Sequence, residues 1–282
     1  MERPLQKFDT STFGTQNFRQ RMISGFTLGP LVLAMVYFGD WYYQLGTTLI
    51  MMLGMREWIR LVDPGASRWV KVAVLISLLA VMGTASLVSI AYAATLGLLL
   101  VLAVFLVAVR DNNGHPERAG WVACGLPYLA GSGVAMLYLR QTPERGMELA
   151  FYLLAAVWGT DIGAYIAGRL IGGPKLAPDI SPNKTWAGLL GAMVSAALAG
   201  YVVSLFFGGK HALEQAGLGL IMAVVAQLGD LFESYIKRRS GVKESGGLIP
   251  GHGGILDRID GLVFAAIFLM LYEIANSGSM AW

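Results

Sequence analysis

Apolar runs separated by short polar connections dominate the pattern along the chain, at 22–39, 42–59, 70–82, 84–109, 120–138, 149–168, 186–207, 213–234 and 261–277. A helix needs about 20 mostly apolar residues to cross the hydrocarbon core of a bilayer. Most of these runs qualify; the third is short, and the 70–109 block can be divided elsewhere. Alternation with period two in segments of about ten residues, the mark of a membrane β-barrel, is absent. The pattern predicts an all-α integral membrane protein, a polytopic bundle of about nine transmembrane helices. No internal repeat or low-complexity linker divides it, so 22–282 reads as a single membrane domain behind a polar segment, 1–21.

Composition agrees with this reading. Of 282 residues 55% are hydrophobic and 14% charged, against about 25% charged in soluble domains, and the mean hydropathy is +0.58. These charges are too few to coat a soluble globule. Glycine, at 36 residues, exceeds the usual share of about 7%, as expected where membrane helices pack closely through small residues. Cys124 is the single cysteine, which excludes a disulfide scaffold and leaves a small apolar side chain.

The placement of charge says more than its net value of +3, which makes no case for a nucleic-acid partner. With the N-terminus inside, 17 of the 21 Lys and Arg residues fall on the cytoplasmic side, and only Arg140, Arg145 and Lys210 lie opposite, with Arg56 inside the second run. Positive residues are retained on the cytoplasmic side, so the N-terminus is expected inside and the C-terminus outside. Arg19-Gln-Arg21 flanks the first run as in a signal-anchor. No small-x-small cleavage site follows, and processing is not expected.

Two cytoplasmic loops, 169–185 and 235–260, concentrate glycines, prolines and cations behind helices that carry acids. Asp230, Glu233, Ser234 and Lys237 share one helical face by their i, i+3, i+4, i+7 spacing, and Asp257 and Asp260 lie one turn apart ahead of the last run. Acids in a span cost roughly 2.5–3.5 kcal/mol each and face polar interiors. Asp230, Asp257 and Asp260 converging at an interface suit Mg²⁺, a hard cation that takes oxygen ligands and keeps substrate phosphates. The cations and the Gly251–Gly254 stretch suit a phosphate loop whose backbone N–H groups approach an anion. A second constellation runs from Asp161, deep in an apolar helix, to Ser181-Pro-Asn183-Lys184-Thr185 at a helix start, where hydroxyls, a cation and free donors can meet an anion.

Each feature alone has an ordinary reading. Lys237 to Lys243 can merely fix topology, Asp257-x-x-Asp260 can merely start a helix, Thr185 can be an N-cap, and His252 a loop residue. The combination within 31 residues is what no capping rule requires. Glu57 has Arg56 and Arg60 within reach as partners. The methionines near it read as packing.

The stretch from Ser234 to Asp260 resembles the signature of the phosphatidate cytidylyltransferases, also called CDP-diacylglycerol synthases. It reads Ser234-Tyr-Ile236-Lys237-Arg238, Lys243-Glu244, then Pro250-Gly-His252-Gly253-Gly254-Ile-Leu-Asp257-Arg258-Ile259-Asp260, with Glu244 where the family has Asp. A second family motif is similar to Ser181-Pro-Asn183-Lys184-Thr185-Trp-Ala187-Gly188, with Asn183 and Ala187 departing. The resemblance spans roughly residues 20–277. It implies that CTP and phosphatidate give CDP-diacylglycerol and pyrophosphate with Mg²⁺, in a bacterial-type inner membrane, by a homodimer whose site, carried by 149–277, faces the cytoplasm. On that basis Asp230, Asp257 and Asp260 form the metal centre with Asp161 beside them. Lys237, Arg238, Lys243, Arg258 and Lys184 meet phosphate groups. Ser181, Thr185, Ser234 and the Gly253–Gly254 backbone assist, and His252 is a candidate proton donor to the leaving group.

Other classes fit less well. An intramembrane aspartyl protease needs glycine where Gln227 stands, a CDP-alcohol phosphotransferase needs Asp-Gly-x-x-Ala-Arg, and a transporter places its acids in mid-membrane. A CTP-dependent enzyme for another lipid shares the phosphate-end motifs. For the orientation, a reporter that works only in the cytoplasm should stay silent when fused to the C-terminus; a bright fusion would reverse the topology.

Overall fold

A computed structural model describes residues 15–111, 115–249 and 253–277. His252 and most of the 1–21 segment lie outside the described residues. In chain order the helices are α1 (Thr15–Phe38), α2 (Asp40–Val62), α3 (Arg68–Leu87), α4 (Ile90–Asp111), α5 (Pro116–Gly125), α6 (Gly131–Gln141), α7 (Gly146–Leu170), α8 (Trp186–Phe206), α9 (Ala212–Arg239) and α10 (Leu256–Ser277). A π-helical turn, Leu126–Ala130, joins α5 to α6 in one rod. Pro127 lies in that turn; proline has no N–H to give the α-helical ladder, and the register widens there.

Among the described residues seven helices are long and apolar enough to cross a membrane, counting the α5–α6 rod as one. These are α3, α4, the α5–α6 rod, α7, α8, α9 and α10; α2 and the described apolar part of α1, Thr27–Phe38, fall short of that measure. The protein is an integral membrane protein. The 70–109 block divides at Val88–Ser89, giving a third helix of 20 residues where a short one is expected from the sequence. Ser67 caps α3 by accepting from the Val70 N–H at 3.4 Å, and its own N–H donates to Asp111 Oδ2 at 2.8 Å, which ties the end of α4 to the start of α3.

The chain adds one element to the all-helical expectation. Lys175–Ala177 (β1) and Ser181–Thr185 (β2) form a two-stranded antiparallel hairpin. Ser181 to Lys184 therefore lie in a strand and not at a helix start. Thr185 ends that strand and caps α8, its Oγ1 accepting from the Gly188 N–H at 3.0 Å, so here the ordinary capping role holds.

The glycine excess is explained in α7 to α10. A Cβ on Gly163 of α7 would collide with the Gly191 carbonyl of α8, and one on Gly219 of α9 would sit 2.6 Å from the Ala196 carbonyl. A Cβ on Gly229 would come within 2.5 Å of the Asp260 carbonyl, so α9 and α10 touch where both carry acids. At the far end of the same helices Arg145 contacts Glu148 and Glu273 at 3.4 and 3.3 Å, and Gln215 Nε2 donates to Glu148 Oε1 at 2.5 Å. The helices are pinned at one end and brought together at the other.

α4 and α8 turn outward, with only 11% and 22% of their apolar stretches buried in the protein, as lipid-facing helices do. Gly163→Leu should destabilise the protein in detergent by about 1–3 kcal/mol through overpacking. Gly83→Ala, where a Cβ meets nothing within 4 Å, should leave the melting temperature unchanged or slightly higher.

Candidate active site

The cations of 237–239 belong to the last turn of α9, and Asp257, Arg258 and Asp260 to the first turns of α10. The connecting loop is thus 240–255 and shorter than the sequence suggests. α9 continues helically through 239, so the i, i+4 pair Glu233 and Lys237 meets at 2.6 Å. Lys237 Nζ also donates to Asp257 Oδ1 at 2.6 Å. From β2, Lys184 Nζ lies 2.6 Å from Asp230 Oδ2, and Ser234 Oγ donates to Asp230 Oδ1 at 3.3 Å. Asp260 Oδ1 accepts from the Gly261 N–H at 2.8 Å.

Asp161 of α7 has Asp230, Lys184 and Arg258 as its electrostatic neighbours, and Asp260 has Asp230, Glu233 and Asp161. Segments from α7, β2, α9 and α10 therefore deliver the predicted residues Asp161, Lys184, Asp230, Ser234, Lys237, Asp257, Arg258 and Asp260 to one place.

Two carboxylates have partners that the sequence did not indicate. Asp257 does not stand open beside Asp230 and Asp260. Its Oδ2 accepts from the Ser245 N–H at 2.9 Å, Ser245 Oγ at 2.8 Å and the Gly254 N–H at 2.9 Å, in addition to the lysine on Oδ1. The Gly254 N–H, expected to meet a phosphate, thus meets an internal carboxylate. The second is Glu57. It is 1% exposed; its Oε2 accepts from the Leu256 N–H at 2.9 Å and lies 3.1 Å from Ser245 Oγ, whose single proton it shares with Asp257. Its partners are the loop and the start of α10, while Arg56 and Arg60 are exposed.

The loop glycines follow from this crowding. A Cβ on Gly254 would strike Ser245 Oγ and Glu57 Oε2, one on Gly246 would lie 2.5 Å from Glu57 Oε1, and Gly253 adopts φ +81°. That conformation strongly favours glycine.

The remaining predicted cations are less enclosed. Arg238 donates to the carbonyls of Ile180 at 3.4 Å and Val242 at 3.2 Å, bracing the hairpin against the loop with no carboxylate among those partners. Lys243 is exposed, and Ser181 half-buried.

Sequence reading missed Tyr128, which the π-turn carries into a ring cluster with Trp58, Phe232 and Phe264, centroids 4.9, 5.4 and 6.2 Å from its own. Its hydroxyl is buried without a hydrogen-bond partner among the described residues, with Glu233, Asp260 and Asp230 as electrostatic neighbours. Pro127 inside an apolar run was the available signal. Glu233 was placed on the right helical face but not counted in the site.

Among the described residues no three Asp, Glu, His or Cys side chains are placed to hold a metal. Lys184 and Lys237 stand between the acids. The donor chemistry nevertheless fits a hard divalent cation. Asp161, Asp230, Glu233, Asp257 and Asp260 face Lys184, Lys237 and Arg258, a formal excess of two negative charges. Glu233 Oε1 is buried with no hydrogen-bond partner among the described residues, while its Oε2 carries the Lys237 contact at 2.6 Å.

The cytidylyltransferase family model matches residues 19–275. The chain belongs to the cytidylyltransferase family. It is similar to the phosphatidate cytidylyltransferase of Brucella suis, 36% identical over 258 residues that cover 91% of this chain and 93% of the relative. The enzymes of the same name from Mycobacterium leprae and Haemophilus influenzae are 37% and 39% identical, over 56% and 52% of this chain and 48% and 53% of theirs. As a member of this family the protein is a nucleotidyltransferase, and the cluster at the ends of α7, α9 and α10 is its candidate active site.

Asp257→Asn should abolish turnover and also loosen the 240–255 loop. Glu57→Ala, outside the acid–lysine cluster, should cut kcat tenfold or more by releasing the same loop. Limited proteolysis should show faster cleavage there in both variants; an unchanged cleavage rate would dissociate the two carboxylates from the loop.

Proposed function

We propose that the protein transfers the cytidylyl group of CTP to phosphatidate, giving CDP-diacylglycerol and pyrophosphate. The observation that carries this reading is the assembly of Lys184–Asp230 and Glu233–Lys237–Asp257 from distant segments, beside apolar helices that lipid can reach. The likeness to the Brucella suis enzyme over nearly the whole of both chains supports the same substrates.

The acceptor is an anionic phosphate oxygen, so attack on the α-phosphorus requires no general base. The new P–O bond forms as the bond to the bridging oxygen of pyrophosphate breaks, and charge repulsion between two polyanions is the main obstacle. Catalysis is then positioning and neutralisation. Lys184 and Lys237 are the central cations, Arg258 neighbours Asp161 with Lys184, and Arg238 and Lys243 are further cations for the phosphates. Each lysine exchanges a carboxylate for a phosphate when substrate arrives.

Asp230, Asp257 and Asp260, with Asp161 beside them and Glu233 close by, would hold Mg²⁺, and Asp257 also keeps the loop in place. When bound, the metal supplies further neutralisation of the triphosphate. The site faces the cytoplasm of an inner membrane crossed nine times, following the distribution of Lys and Arg, and the chain works as a homodimer in keeping with the family resemblance.

Purified protein in detergent, given labelled CTP, phosphatidate and Mg²⁺, should yield a lipid-bound nucleotide and pyrophosphate. EDTA should abolish the product, and Lys184→Ala should lower kcat about 10²-fold or more, as loss of a charge-stabilising donor does. Product with a different lipid phosphate and none with phosphatidate would overturn the substrate.

A further inference from the structure

A cavity of about 460 Å³ lies between α1, α2, α7 and α10. Its wall is apolar, built from residues such as Val32, Met51, Leu153 and Leu262, and Arg258 is the one charged residue lining it among the described residues. Leu28 to Val36 on α1, Tyr43 to Met51 on α2 and Ala150 to Trp158 on α7 each line it over eight residue steps, or about 12 Å at 1.5 Å per residue. One leaflet's share of the roughly 30 Å hydrocarbon core is of similar depth.

The cavity and the site have Arg258 in common. Arg258 follows Asp257 in sequence, is exposed, and neighbours Asp161 electrostatically. Ile249 and Ile255, from the segments that bracket the loop tip, also line it. An apolar slot one leaflet deep with a single cation at its mouth is complementary to an acyl chain attached to an anionic head.

We propose that this cavity binds one acyl chain of the lipid phosphate acceptor and sets the chain length the enzyme prefers, with Arg258 beside the headgroup. The second chain stays in the bilayer. The proposal rests on the reading of the acceptor as a lipid phosphate.

Gly29 tests it, because it lines the cavity and a Cβ there meets nothing within 4 Å. Gly29→Phe should fill space without displacing protein atoms. KM for phosphatidate with 16- or 18-carbon chains should rise about tenfold, the loss expected when two or three methylenes are excluded. Dihexanoyl phosphatidate should be turned over as by the parent, and KM for CTP should not move. An unchanged ratio of long- to short-chain activity would overturn the proposal.

A measurement on the parent protein is independent of how the variant folds: phosphatidate carrying a mid-chain diazirine should label α1, α2 and α7 within 28–36, 43–51 and 150–158. Labelling confined to the outward faces of α4 and α8 would overturn it. If the parent converts neither lipid, the reading of the reaction fails, and the labelling pattern still decides what the cavity binds.

Discussion

The carboxylate of Asp257 is the constraint on which the arrangement of the site depends. It accepts from Lys237 of α9, from both donors of Ser245 and from the Gly254 N–H, so one side chain closes the 240–255 loop on itself and against a helix. Hydrogen bonds to an ionised group contribute more than neutral ones, and four on one carboxylate leave little slack. Glu57 completes the attachment from α2 by accepting from the Leu256 N–H and sharing the Ser245 hydroxyl proton with Asp257. The result is a polar loop fixed to three helices in a protein whose other surfaces are mostly apolar.

The same attachment fixes the acids. Because α10 begins at Leu256, held by Glu57, Asp260 falls one turn after Asp257 and against Gly229 of α9. The lack of a side chain at Gly229 sets the distance between α9 and α10, and therefore between Asp230 and Asp260. Small residues also bring α8, and with it the hairpin that carries Lys184, onto α7 and α9. Helix packing is in this sense part of the chemistry.

Much of this was legible in the sequence. The apolar runs located the helices, because a span must be long and apolar in a bilayer, and the acids inside them marked the polar interior, because isolated acids there are costly. What the sequence could not specify was pairing between elements far apart in the chain. Glu57 and Ser245 are 188 residues apart, and local spacing offered Arg56 and Arg60 as nearer partners for the glutamate. Asp257-x-x-Asp260 looked like two equivalent acids, yet the loop's donors saturate one and leave the other among carboxylates. The glycines at 253 and 254 were recognised as a place where backbone meets an anion, and the Gly254 N–H meets one of the protein's own. Tyr128 escaped because a π-turn has no reliable sequence pattern beyond the proline within it.

The lysines connect the architecture to the proposed chemistry. Five carboxylates gathered between apolar helices would repel one another strongly in a medium of low dielectric, and Lys184 and Lys237 are close enough to make the cluster tolerable. Removing a partner from such a buried pair leaves an uncompensated charge, so neither lysine can leave its acid for bulk water at low cost. A triphosphate arriving with a divalent cation presents both signs at once: phosphate oxygens for the lysines and a cation for the acids. The exchange keeps every buried charge paired throughout. Neither nucleotide nor metal alone offers that, so on the proposed reading the two should bind with positive coupling, each raising the other's affinity by the same factor.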